Sequence, residues 1–187
     1  MSSLPSPKQY EEHAYVLDFN LRGKSQMIRG QEGPILQAMG EARLTLLELL
    51  GLNGMEFQVG ERIYIGKEGR TKVVSVLGKL TYEELSNDAT NELETIAELI
   101  IKNNEDRYIE IFNSLHPLTP RLHALELIPG IGKTFMNQII NERNRLPFKN
   151  FENLQERTNL KEPTKRIAQR IVEEISGSSR VTLFVNR

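Results

Sequence analysis

The hydrophobic period of this chain changes once, and the change divides what it can fold into. Up to about residue 80, apolar residues alternate in short runs broken by glycines and polar turns. From about residue 90 they recur every three to four residues. Alternation puts successive side chains on opposite faces of a strand, whereas the second spacing gathers them on one helix face. Strands followed by helices predict an α+β protein.

In the first half, "HAYVLDF" (13–19) reads as a strand, with Ala14, Val16 and Asp18 on one face and Tyr15, Leu17 and Phe19 on the other. The polar stretch 20–33, with Arg22, Lys24 and Arg29, reads as a loop or a loop holding a short strand. Pro34 and Gly40 bracket an expected short helix, "PILQAMG". Residues 42–50 fit either element; the strand reading is preferred because the neighbours are strands. "GERIYIG" (60–66) and "TKVVSVLGKL" (71–80) are expected strands joined by a tight hairpin at 66–70, with a bulge near Gly78. Four or five short strands at this spacing favour a small barrel or sandwich, and with one helix an oligonucleotide/oligosaccharide-binding (OB) type barrel.

In the second half, helices are expected at 91–104, 105–115, 121–128, 133–145, 151–157 and 162–175, with Phe135, Met136, Ile139 and Ile140 inward on the fourth. Pro163 suits the first turn of the last one. "RVTLFVNR" (180–187) alternates and reads as a strand returning to the barrel. The expected layout is a loose tail at 1–12 with Tyr10 as its anchor, a barrel at 13–88, acidic helices at 89–116, a helical module at 117–177 and a terminal strand at 178–187.

Charge follows the same division. The net of −1 hides twelve Lys/Arg against seven Asp/Glu in 116–187 and twelve against eighteen in 1–115. A basic module beside an acidic one points to a polyanionic partner for the former, with solvated helix faces as the plain alternative. There is no cysteine, so disulfides, zinc thiolates and thiol catalysis are excluded. No apolar run reaches membrane-spanning length and the first residues lack a signal-peptide core, so a cytoplasmic protein without membrane contact is expected.

The most specific stretch is Pro129-Gly130-Ile131-Gly132-Lys133. Pro129 ends one helix and Lys133-Thr134 begins the next. Gly130 and Gly132 permit positive φ and close approach, while Ile131 tucks inward. Backbone N–H groups at the start of the next helix lack helical partners and carry its positive dipole end, which suits one phosphate. Such a site positions a strand without reading its bases. The alternative is a glycine-rich turn that binds nothing.

"HALELIPGIGKTFMNQIINERN" resembles the helix–hairpin–helix motif of DNA-repair, recombination and RNA-associated proteins, and "PFKNFENLQERTNLKEPTKRIAQRIVEEI" resembles the linker and second copy of a tandem pair. The second copy has Asn159-Leu160-Lys161-Glu162-Pro163 where a Gly-x-Gly hairpin is usual. Either Lys161, Lys165, Arg166 and Arg170 replace its backbone site, or the copy is purely structural. Over nearly the whole chain, "GERIYIG", "RLHALELIPGIGK" and "PFKNFENLQER" resemble a little-characterised archaeal family described as nucleic-acid-binding, with an OB-like barrel and tandem helix–hairpin–helix units. The resemblance implies a genomic setting near ribosomal-protein, polymerase-subunit and rRNA-methyltransferase genes, which favours RNA over DNA. It also makes residues 128–132 a candidate for a monovalent cation; no other cofactor is expected.

The expected function is therefore non-catalytic nucleic-acid binding at Gly130, Ile131, Gly132, Lys133 and Thr134, with Arg143, Arg145, Lys161, Lys165, Arg166 and Arg170 as further contacts. Arg22, Lys24, Arg29, Lys67 and Arg70 are secondary candidates on the barrel, where Tyr15, Phe19 and Tyr64 are read as core before stacking surfaces. His13, His116 and His123 have no second ligand at metal spacing. "GKT" at 132–134 has Ile128 where a Walker loop requires glycine. The rival reading is a scaffold whose acidic helix docks a basic partner such as a ribosomal or transcription protein.

Overall fold

The structure, a computed structural model, describes residues 10–185, apart from the side chains of Arg22 and Lys24. It is a mixed α+β fold with, among the described residues, five α-helices and a curled antiparallel half-barrel sheet. Two compact units emerge among the described residues, one of residues up to Ile96 together with Phe184 and Val185, the other spanning Ala97–Leu183.

The sheet contains β1 (His13–Ile28), β2 (Gln31–Gly40), β3 (Leu46–Gly51), β4 (Arg62–Tyr64) and β5 (Val73–Lys79), in the order β4-β1-β2-β3-β5. The stretch expected as a polar loop is the extension of β1 into a hairpin with β2. Arg29 (φ 51°) and Gly30 (φ 79°) make its two-residue turn, the left-handed pair that matches strand twist. The expected 34–40 helix is instead the middle of β2. Ile35, Leu36, Ala38 and Met39 are buried on both faces between β1 and β3, so no alternation marks them as a strand. Pro34 is tolerated because it falls where the β1–β2 ladder is interrupted, between Leu21↔Ile35 and Gln26↔Gly33.

Ala14, Val16, Leu36, Ala38, Leu47, Leu49, Ile63 and Val73 form one core cluster. Phe19 packs on that cluster too, because a register shift between Val16 and Asp18 breaks the expected alternation. The bulge at Gly78 is present: Glu48 opposes Gly78 while Leu49 opposes Val76. The Glu11 carboxylate accepts from the N–H groups of Ala42 (2.8 Å) and Arg43 (2.7 Å). It thereby holds the β2–β3 turn, in which Leu44 is left-handed.

The expected 66–70 hairpin does not form. β4 pairs only with β1 and β5 only with β3, so 66–70 runs from one edge of the sheet to the other. A side chain spans this gap instead. Arg70 donates through Nε to the Gly66 carbonyl (2.6 Å) and through Nη1 to the Val74 carbonyl (3.0 Å).

Helices α1 (Asn87–Asn103) and α2 (Glu105–Ser114) follow. Ser86 caps α1 by accepting from Ala89 N–H, while its hydroxyl donates to Asp18 and its N–H to Gln37. These bonds tie the start of α1 to β1 and β2. Residues 121–128 are not a helix: β6 (Pro117–Thr119) and β7 (Leu122–His123) pair briefly, and Ala124–Leu127 forms one 3₁₀ turn. Then come α3 (Lys133–Arg145), α4 (Phe151–Thr158) and α5 (Pro163–Ile175), the last with Pro163 in its first turn.

Residues 180–185 form no strand; Asn186 and Arg187 lie outside the described residues. The backbone groups a ladder would use are taken by α5. Arg170 donates to the Val181 carbonyl (2.6 Å), and the Glu174 carboxylate accepts from Leu183 N–H (3.0 Å).

Replacing Arg70 with Leu strips donors from buried-edge carbonyls on both sides of the gap. Chemical denaturation of Arg70→Leu should show a loss of about 1–3 kcal/mol. An unchanged midpoint would mean that the guanidinium does not brace the sheet.

Candidate nucleic-acid interface

The Pro129–Gly132 loop is built by two residues with opposite demands. Gly130 has φ +81°, and a Cβ there would meet Arg166 Nη1 at 1.7 Å. The backbone disfavours a side chain, and one placed there would displace the Arg166 guanidinium. Ile131 is buried, and its N–H closes the turn on the Ile128 carbonyl at 3.1 Å. Gly132 differs from expectation: its backbone is extended (φ −90°, ψ −172°) and its missing Cβ faces open space. It is the N-cap of α3, and its carbonyl accepts from Met136 N–H.

No side chain caps α3 and no acid lies in its first turn. The N–H groups of Lys133, Thr134 and Phe135 have no carbonyl within the helix to bond. By contrast, α1, α2 and α4 each carry an acid in the first turn, and α4 is also capped by Asn150 accepting from Asn153 N–H. Helix α5 is the other one without an acid there or a side-chain cap.

The second loop matches the first at two positions, without its glycines. Asn159 (φ 59°) is left-handed like Gly130, and Leu160 is buried like Ile131. One further residue, Lys161, precedes the N-cap Glu162, which is also left-handed (φ 51°). Asparagine adopts this conformation more readily than most residues. Arg166 joins the two loops, donating through Nε to the Lys161 carbonyl (2.7 Å) and through Nη1 to the Pro129 carbonyl (3.3 Å). Sequence spacing held no sign of that bridge.

The expected contacts divide by what already holds them. Thr134, Lys161 and Lys165 are exposed. Lys133 is exposed but leans back on the Glu126 carboxylate (3.1 Å) and the Arg121 carbonyl (3.3 Å). Arg145 is exposed and paired with Glu142. Arg143 is half-buried and donates to the Phe112 carbonyl at 3.1 Å; burial lowers its pKa from the ordinary guanidinium value. Arg170 is 4% exposed, bound by Glu174, Ser179 and Val181, and so is removed from the surface. On the sheet, Arg29 is an exposed turn residue, Lys67 sits over the Tyr10 ring and Arg70 is the strut described above. Arg22 and Lys24 lie in β1, and their side chains are outside the described residues.

His123 is a buried cap. Its Nδ1 accepts from Leu125 N–H (3.0 Å), and Nε2 has no hydrogen-bond partner among the described residues. Burial, then the nearby Arg143 charge, lowers its pKa, with Glu126 opposing. Hydrogen bonding from His123 N–H and then from Lys133 holds Glu126 below the usual carboxylate range. Among the described residues no cluster of three or more His, Asp or Glu side chains is placed to hold a metal ion, and no helix is long and apolar enough to cross a membrane.

A lowered histidine pKa has a definite sign. As pH falls from about 6.5 towards the folded-state value, the unfolded chain takes a proton that folded His123 refuses, so stability falls. His123→Asn keeps an acceptor for Leu125 N–H and should flatten the denaturation midpoint over that range; an unchanged slope would contradict it. The glycines should also separate. Gly130→Ala should cost about 1–3 kcal/mol in denaturation for its left-handed backbone alone, whereas Gly132→Asp should keep full stability because Asp is a favoured N-cap.

A family described as "Protein of unknown function (DUF655)" matches residues 10–186. An uncharacterized protein of Methanocaldococcus jannaschii, MJ0038, is 37% identical over 174 residues, covering 93% of this chain and 78% of its own length. The crystal structure of Af1531 from Archaeoglobus fulgidus is similar at a TM-score of 0.82 and 38% identity, covering 94% of this chain and 100% of that one.

Proposed function

This chain belongs to the DUF655 family, and we propose that it is a non-catalytic, cytoplasmic nucleic-acid-binding protein that grips the phosphate backbone at Gly132, Lys133 and Thr134. The observation that carries this reading is the open start of α3. It is uncapped, without an acid in its first turn, and presented by a loop whose shape is set by left-handed Gly130 and buried Ile131. An anion there meets unpaired N–H groups and the positive end of the helix dipole. Arg166 adds a full charge from the first turn of α5.

The paired loops support a tandem helix–hairpin–helix reading, since left-handed residue and buried aliphatic recur in each. The first unit is reduced, because a 3₁₀ turn stands in for its first helix. The strand order, with β1 between β4 and β2 and the gap between β4 and β5, supports an OB-like barrel that is not fully closed. RNA is favoured over DNA by the resemblance in sequence noted above. The scaffold alternative loses ground at one residue of the acidic helix: Glu98 is engaged with Lys102 and Thr164.

Fluorescence anisotropy against structured RNA, single-stranded RNA and duplex DNA tests this reading, comparing wild type with Gly132→Asp. The variant keeps the fold but sets a carboxylate where the phosphate would sit. It should bind structured RNA at least about tenfold more weakly, with the salt slope reduced by about one. Equal binding by the variant, or a basic protein partner retained after nuclease treatment with no RNA affinity, would overturn it.

A further inference from the structure

The half-barrel is open between β4 and β5, and a cleft of about 670 Å³ lies there. That volume lies within the roughly 300–1,000 Å³ of small-ligand sites. Leu47, Ile65 and Val76 give it apolar walls, and Tyr64 and Tyr10 bring two rings. Tyr64 is half-buried, edge-on to His13 at 5.4 Å. Tyr10 is 67% exposed, with Lys67 Nζ 5.1 Å from its ring centre. Lys79, exposed on β5, lies on the far side of the gap.

The charge around this cleft is positive although its unit is acidic. Arg43, Lys67, Arg70 and Lys79 line it against Glu11 and Glu12. The Glu11 carboxylate is already satisfied by the Ala42 and Arg43 N–H groups.

We propose that this cleft is a binding site for a nucleotide unit, with the base against Tyr10 and Tyr64 and the phosphate between Lys67 and Lys79. Flat apolar walls with aromatic rings suit a base, and flanking cations suit its phosphate. A β-strand of another polypeptide is the poorer occupant. β4 is three residues long, β5 is bulged at Leu77 and Gly78, and Arg70 already occupies the Gly66 and Val74 carbonyls. This site is separate from the Gly132 loop and does not rest on it.

Amide NMR shifts in ¹⁵N-labelled protein test it, using uridine 5′-monophosphate and hexauridylate as probes. Shifts should centre on Lys67, Val76 and Lys79. Tyr10→Ala should weaken binding about tenfold, in line with the loss of one stacked base, and a Lys67→Glu/Lys79→Glu double variant should weaken it by at least about as much by repelling the phosphate. Both sets of side chains are exposed, so the fold should survive. Comparable affinity for both probes supports a free nucleotide as ligand; binding of hexauridylate alone supports a strand segment. Neither probe binding, shifts confined to other residues, full binding by the cleft variants, or saturation by an extended peptide instead would overturn it.

Discussion

A guanidinium held against a glycine is the interaction on which the helical unit's surface depends. Arg166 reaches from α5 to the Pro129 carbonyl and lies where any side chain at residue 130 would be. Gly130 turns the chain with its left-handed backbone, Arg166 holds that turn through the Pro129 carbonyl, and α3 then begins with N–H groups that have no helical partner. Unpartnered N–H groups at a helix start normally cost stability unless water or a ligand meets them. Here no side chain caps α3 and its first turn holds no acid, the nearby Glu126 being paired with Lys133, while the bridge supplies a positive charge. In such a setting a phosphate is the complementary group.

Arginine is used throughout as a strut as well as a charge. Arg70 crosses the open side of the sheet, and Arg143 closes on the Phe112 carbonyl. Arg157 ties α4 to the Glu142 carbonyl of α3 and to the carbonyl of Leu146 just after it, with its guanidinium over Phe148. Arg170 pins the C-terminal segment. The planar fork of guanidinium suits this work, since it reaches several carbonyls in one plane. It follows that the basic excess of the second half overstates the charge on offer to a partner. Lysines 133, 161 and 165 with Arg166 remain near the loops, a smaller and more localised set.

The helices from 87 to 175 were legible because each buries one stripe, and the loop at 129–132 because glycine, proline and aliphatic residues each have a fixed task there. What the sequence hid has physical causes. β2 is buried on both faces, which erases alternation and lets "PILQAMG" pass for a helix. Residues 180–185 alternate like a strand, yet their backbone groups are drawn to Arg170 and Glu174, a tertiary effect no local pattern records. "RLHALELI" carries helical spacing, but His123 caps after one bend and only a 3₁₀ turn follows. At the candidate site, Gly132 reads like Gly130 in one dimension, whereas only Gly130 has the backbone that demands glycine.

Amide NMR during titration with a structured RNA decides whether the uncapped start of α3 holds phosphate. The N–H resonances of Gly132, Lys133 and Thr134 should move first and move downfield, with the Arg166 Nε–H following. Saturation of binding with those three amides unmoved would contradict the account.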